Sequence, residues 1–175
     1  MNKRAIIALG AIIFLGLGII YVYFGGLNSV EVAVENVTDY NLVGKRFKGM
    51  NDSDTLRDAF FEARELAQSG EMDGVLTLVH YKDTTLTEEQ VNVFVGIKLN
   101  AGTSDLPSGY SRMTIPARRT VRARVEAHNS VMPSSETVEN RLLKQAEDLG
   151  LELQDFTIEQ YLNEREIWID MPVKQ

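Results

Sequence analysis

The 175-residue sequence has no cysteine, only two histidines and only four prolines. Without cysteine there are no disulfides, no thiol nucleophile and no lipid-modified cysteine anchor. His80 and His128 stand far apart, with no paired His or carboxylate spacing beside them, so neither a metal nor a haem is expected and no cofactor is inferred. A Gly-x-Ser-x-Gly elbow and a phosphate-binding glycine-rich loop are also missing, which removes two common signatures of catalysis. Charge is missing too: no Asp or Glu precedes residue 25, and residues 5 to 24 carry no charge of either sign.

That uncharged stretch, AIIALGAIIFLGLGIIYVYF, has about the 20 residues needed to cross a bilayer as a helix. Lys3 and Arg4 precede it, Tyr21 and Tyr23 close it, and the next basic residue is Lys45. The positive-inside rule then keeps the N-terminus cytoplasmic and sends the remainder out. A cleaved signal peptide is the competing reading, but its apolar core spans about 7 to 15 residues, and FGGLNSV fits its small-residue cleavage site poorly. The expected organisation is an anchor over residues 1–25 and one domain over 26–175, single-pass and extracytoplasmic.

Removing Lys3 and Arg4 from the 18 basic residues leaves 16 against 25 acidic ones, a net charge of −9 beyond the anchor. Nucleic acid and anionic membrane surfaces are poor partners for such a domain. One basic stretch, RRTVRAR at 118–124, runs against the trend.

Beyond the anchor the chain repeats itself. VEVAVENVTDYNLVGKRFKG is rich in β-branched residues and reads as strand. A helix follows from about Thr55 to Gln68, with Leu56, Ala59, Phe60, Ala63 and Leu66 at helical spacing, Ser53 or Asp54 as cap and Gly70 as stop. Two strands complete the unit, 75–82 and 91–99. After the linker NAGTSDLPSG the order recurs in SRMTIPARRTVRARVEA, ETVENRLLKQAEDL, FTIEQYL and EIWIDMPV. The second helix carries Val138, Leu142, Ala146 and Leu149 on one face, with Ser134 or Ser135 before it and Gly150 after it. One helix on three strands leaves a face open, so the units, about 30–100 and 109–174, are expected to pair as one pseudo-symmetric α+β domain.

Aligning the halves on their tyrosines sets Tyr81 against Tyr161, Phe94 against Trp168 and Gly96 against Asp170. Strand alternation then assigns Leu76, Leu78, Val93, Val95, Ile97, Phe156, Ile158, Ile167, Ile169 and Met171 to the helix side. Thr77, Val79, Tyr81, Asn92, Phe94, Thr157, Glu159, Tyr161, Glu166, Trp168 and Asp170 fall on the other side. The second set reads as a groove lined by aromatics and carboxylates.

The tandem strand-helix-strand-strand order, the Glu-x-Tyr of Glu159 and Tyr161, and the last strand IWIDMPV ending at Pro172 resemble the GyrI-like small-molecule-binding superfamily. That superfamily includes the effector-binding domains of AraC-type and BmrR-type regulators and the SOUL group. The resemblance covers about residues 30–174. It implies a ligand cleft between the halves, with a carboxylate like Glu159 facing the ligand; with no catalytic motif in the sequence, binding without catalysis is the leading expectation. No DNA-binding segment accompanies it here. Some members are described as hydrolases that use a groove glutamate with aromatic neighbours, which would make Glu159 a general base.

The candidate ligand-binding residues are therefore Glu159, Tyr161, Trp168, Tyr81, Phe94 and Glu166, with no catalytic residue assigned and no metal. The expected ligand is a small apolar or cationic molecule, held by charge and by ring faces worth roughly 0.5–2 kcal/mol each. Two other readings stay open. Arg118, Arg122 and Arg124 alternate along one strand and can pair with Glu159 and Glu166 as a cross-strand ladder, without any ligand. The aromatics can instead plug the face, leaving an interaction module for an unknown protein partner at the membrane.

Overall fold

The structure, a computed structural model, describes residues 13–18, 20–25, 30–101, 105–128 and 131–174. Residues 13–18 and 20–23 are helical. The expected span 5–24 falls partly on residues 1–12 and 19, outside the described residues. Among the described residues no helix is long and apolar enough to cross a membrane.

The domain is α+β, with elements β1 (Glu31–Asn36), β2 (Tyr40–Met50), α1 (Asp54–Gln68), β3 (Gly74–Tyr81), β4 (Gln90–Leu99), β5 (Ser111–Ile115), β6 (Arg119–Glu126), α2 (Ser135–Asp148), β7 (Phe156–Tyr161) and β8 (Glu166–Pro172). The helical spacing is realised in the packing. Leu56, Ala59, Phe60, Ala63 and Leu66 of α1 meet Val43, Leu76, Leu78, Val93, Val95 and Ile97 of the sheet. Val138, Leu142 and Ala146 of α2 meet Val121, Ala123, Val125 and Met171. Ser134 caps α2 by accepting the Thr137 N–H at 3.3 Å.

The strand that opens each unit is two strands, not one. Pro116 has no N–H to offer a ladder, and the chain breaks there and again at Val37–Asp39. The breaks lie side by side: Val37 N–H donates to the Arg118 carbonyl at 2.9 Å, and Ala117 N–H to Asp39 Oδ1 at 3.0 Å. Past each break the chain has changed units. β1 pairs with β6 of the second unit and β5 with β2 of the first, so the halves exchange their leading strands.

All pairings are antiparallel, in one eight-stranded sheet of order β1-β6-β8-β7-β3-β4-β2-β5. The seam between the halves is β3 against β7, with Leu78 opposite Glu159. Although β7, β3 and β4 separate β2 from β8, Tyr40 Oη donates to Asp170 Oδ2 at 2.7 Å. The sheet must therefore curl until the start of β2 reaches β8. Gly44 and Gly96 face each other within the curl, and a Cβ on either would lie 2.2 or 2.1 Å from a backbone carbonyl oxygen of the facing strand.

Curling gives the sheet a second core on its helix-free side. Tyr40, Leu42, Val79, Phe94, Ile115 and Ile158 fill it, all buried. Beside them Asp170, with no exposed surface, accepts hydrogen bonds from Arg122 Nε and Nη2 at 2.6 and 2.7 Å and from Gln160 Nε2 at 2.8 Å, besides that from Tyr40. Removing one partner of a buried ion pair costs about 3–5 kcal/mol, because the other charge is left without compensation. Asp170→Ala is accordingly expected to lower the unfolding free energy by about that amount in urea titrations, whereas Arg122→Met with Asp170→Leu should recover most of it.

Candidate functional site

The two helices sit over opposite ends of the sheet: α1 packs on β2, β3 and β4, and α2 on β1 and β6. Between them β7 and β8 form the floor of a groove, where Glu159, Tyr161, Ile167 and Ile169 are only partly covered. The register settles which residues face it. Cross-strand partners share a face, and Glu159 pairs with Leu78 and Ile169 while Tyr161 pairs with Leu76 and Ile167, all on the helix side.

This corrects the sequence-based sorting of β7. Its register is shifted by one residue from the tyrosine alignment, so that His80, not Tyr81, occupies the position equivalent to Tyr161, and Leu78 the position equivalent to Glu159. A one-residue slip turns every side chain to the other face. Phe156 and Ile158, expected under the helices, lie in the helix-free core, and Thr157, Glu159 and Tyr161 lie on the helix side.

The six candidate residues are thus divided between two faces. Phe94 is a core residue, 3% exposed. Tyr81 is half-buried on the same side, with its hydroxyl on the Met113 sulfur at 3.1 Å and the Arg46 guanidinium 4.6 Å from its ring centre. Trp168 donates through Nε1 to Glu166 at 2.9 Å, and the guanidinium groups of Arg122 and Arg124 lie 4.3 and 5.3 Å from its ring centre. The helix-free side is therefore filled, not grooved, and Glu166, Trp168, Tyr81 and Phe94 do not meet Glu159. A ladder of arginines exists there, but on other carboxylates: Arg122 binds Asp170 and Glu35, and Arg124 binds Glu35.

Glu159 is paired instead within the groove. Tyr161 Oη donates to its Oε2 at 2.8 Å, and His80 Nε2 lies 3.4 Å from the same oxygen. Burial favours neutral His80, but the Glu159 carboxylate outweighs it, with a weaker pull from Glu139 of α2, and the His80 pKa stands above its ordinary value. Burial likewise opposes charge on Glu159, yet His80 and the Tyr161 hydroxyl together hold its pKa below the ordinary carboxylate range. Burial, then the adjacent Glu159 charge, push the Tyr161 hydroxyl far above its ordinary pKa, so it stays protonated and donates.

Phe60 meets the Tyr161 ring edge to face, with centroids 5.7 Å apart, and forms the α1 wall. From there a cleft of about 770 Å³ opens between α1 and the β7–β8 turn, lined by Phe61, Arg64, Leu162, Arg165 and His128 among others. Sequence reasoning missed His80 and Phe60 as groove residues. Phe60 was legible only as a core position of α1, and the pairing of His80 with Glu159 depends on the register across the seam.

No protein-family model and no curated protein matches the chain. Solved structures do share its fold. EcmrR, in a complex with DNA, superposes with a TM-score of 0.62 at 16% identity over 98% of this chain and 68% of its own. A hydrolase from Listeria innocua gives 0.55 at 12% identity over 82% and 92%. SAV2435, bound to tetraphenylphosphonium, gives 0.51 at 13% identity over 82% and 94%.

The His80–Glu159 pair has a defined pH signature. A raised histidine pKa contributes stability that is complete below about 6.5 and is lost as pH rises through the folded value. A lowered carboxylate pKa contributes stability above the ordinary carboxylate range that is lost as pH falls through the folded value. His80 is more than a third exposed, 39%, which screens the pair. His80→Gln should therefore lower the thermal midpoint by no more than about 3 °C at pH 6 and leave it unchanged at pH 9.

Proposed function

We propose that this chain is a membrane-anchored, non-enzymatic domain that binds a small apolar or cationic molecule in the groove between its helices, with Glu159 as counter-charge. One observation carries the reading: a carboxylate with only 17% of its side chain exposed stands on the groove floor beside the Tyr161 ring, which Phe60 backs, and the cation facing it is a histidine whose charge disappears with rising pH. A permanent cation entering there replaces His80 as the partner of Glu159, and the rings of Tyr161 and Phe60 add contact area. The likeness to GyrI-like domains supports the same reading, as does a fold shared with a protein that binds tetraphenylphosphonium, itself a lipophilic cation.

The hydrolase reading draws on the Listeria innocua neighbour. Electrostatics disfavour it: a carboxylate held below its ordinary pKa is a weak general base near neutral pH, where the best base has a pKa close to the working pH. For the anchor, residues 5–24 supply the apolar length, and Lys3 with Arg4 supply the cytoplasmic bias that puts the domain outside.

Tetraphenylphosphonium titrated into the full chain in detergent should bind saturably, and Glu159→Gln should weaken it about tenfold, or about 1.4 kcal/mol. Affinity should rise with pH through the folded His80 pKa and become flat in His80→Gln. Equal binding by wild type and Glu159→Gln would remove Glu159 from the site. As to orientation, protease added to intact cells should digest the domain, and digestion only after lysis would reverse it.

A further inference from the structure

The N-terminal helical segment does not leave the domain at an arbitrary place. Phe24, at its end, stacks on the His128 ring with centroids 4.6 Å apart and planes inclined by 21°. The Phe24 carbonyl also accepts the His128 N–H at 2.9 Å, and the Arg165 guanidinium lies 5.9 Å from the Tyr23 ring centre. His128 and Arg165 both line the cleft, and so does Tyr161, whose hydroxyl binds Glu159 beyond it. The anchor is therefore docked onto the rim of the cleft itself.

Geometry then fixes what the rim faces. Gly74, at the start of β3, lines the cleft, while the far end of β3 leads into the 82–89 connection. β3 has eight residues, so about 23 Å separates its two ends. The N-terminal segment thus meets the domain at the Gly74 end of β3, the end where the cleft opens. The rim has the chemistry of an interfacial surface: Tyr21 and Tyr23 on the helix, Phe61 with 53% of its surface exposed, and the basic Arg64 and Arg165.

We infer that the groove opens onto the membrane interface and takes its ligand from the bilayer: an amphiphile whose apolar body partitions into lipid and whose cationic head reaches Glu159. This rests on the anchored, ligand-binding reading above and adds the route and the chemical class. Exit of the helix at the rim brings an apolar ligand to the cleft without a passage through water. It also gives the exposed Phe61 an apolar environment, while Arg64 and Arg165 beside it can meet lipid headgroups.

The absence of cysteine makes the test direct. Glu164→Cys places a single thiol on the rim, where Glu164 is 86% exposed, and Glu88→Cys places one in the 82–89 connection. Each full-length variant, labelled with an environment-sensitive fluorophore, goes into phosphatidylcholine vesicles containing a lipid with a nitroxide on its headgroup. Quenching at 164 should exceed that at 88 at least twofold, and Tyr23→Ala with Phe24→Ala should bring the two together. Equal quenching, or more at 88, in protein that floats with the vesicles overturns the orientation and leaves the anchor standing. Protein that fails to float overturns the anchor and the inference together.

The ligand class is tested separately with two cations of equal charge. Dodecyltrimethylammonium should bind at least tenfold more tightly than tetramethylammonium, with the preference reduced in Phe61→Ser. Equal affinities would overturn the amphiphile. Binding of neither, in protein that still shows the rim quenching, would reject the amphiphile and count against the ligand-binding reading, while the membrane-facing rim would stand.

Discussion

The carboxylate of Asp170 holds the domain in its shape. It sits in β8 and takes hydrogen bonds from β2, β6 and β7 through Tyr40, Arg122 and Gln160. The bond to Tyr40 joins strands that are not neighbours in the sheet, so it exists only in the curled form. With no exposed surface, Asp170 would be costly in an apolar core without partners, and the network supplies four donors, one to Oδ1 and three to Oδ2. The paired glycines 44 and 96 stand at the same place in the other half, where Arg122 and Asp170 face each other in this one. One half bends by leaving out side chains and the other is drawn in by charge.

Closure on that side decides where a ligand site can be. The helix-free face becomes a second core, with Val79, Phe94 and Ile158 at its centre, and its arginines are used by Asp170 and Glu35. Glu159 is left on the helix side, beyond the reach of that ladder, with a histidine and a tyrosine hydroxyl for company. Its balance differs from that of Asp170 in kind. Asp170 is saturated by permanent donors, whereas part of the compensation at Glu159 comes from a proton that leaves as pH rises. A saturated buried carboxylate builds structure; one with an exchangeable partner in a groove is suited to binding.

Proteins that share this fold include a DNA-complexed one, a hydrolase and one bound to a lipophilic cation. A fold with so many uses does not assign a function, and the site has to. At the rim, Phe24 and Tyr23 of the N-terminal segment meet His128 and Arg165. Those contacts connect the element proposed to hold the membrane with the groove proposed to hold the ligand.

Local rules alone made the two helices legible. Helical spacing of Leu56, Phe60, Ala63 and of Val138, Leu142, Ala146, together with serine and glycine at the ends, depends on residues within a few positions of one another. The repeat of strand, helix, strand and strand was legible for the same reason, and so was Glu159 with Tyr161 as a candidate pair. Tertiary structure decided the rest, since each remaining feature depends on residues distant in sequence. The exchange of leading strands follows from breaks at Val37–Asp39 and Pro116 that lie together only in the fold. The face of β7 was decided by its pairing with β3, where a period of two makes a one-residue offset invert every side chain. Arg122 and Asp170 are 48 residues apart, and Tyr40 and Asp170 are 130 apart. Nothing in their local sequence selects these partners; the curl of the sheet does, because it is what brings opposite charges and a hydroxyl into one space too dry to leave any of them alone.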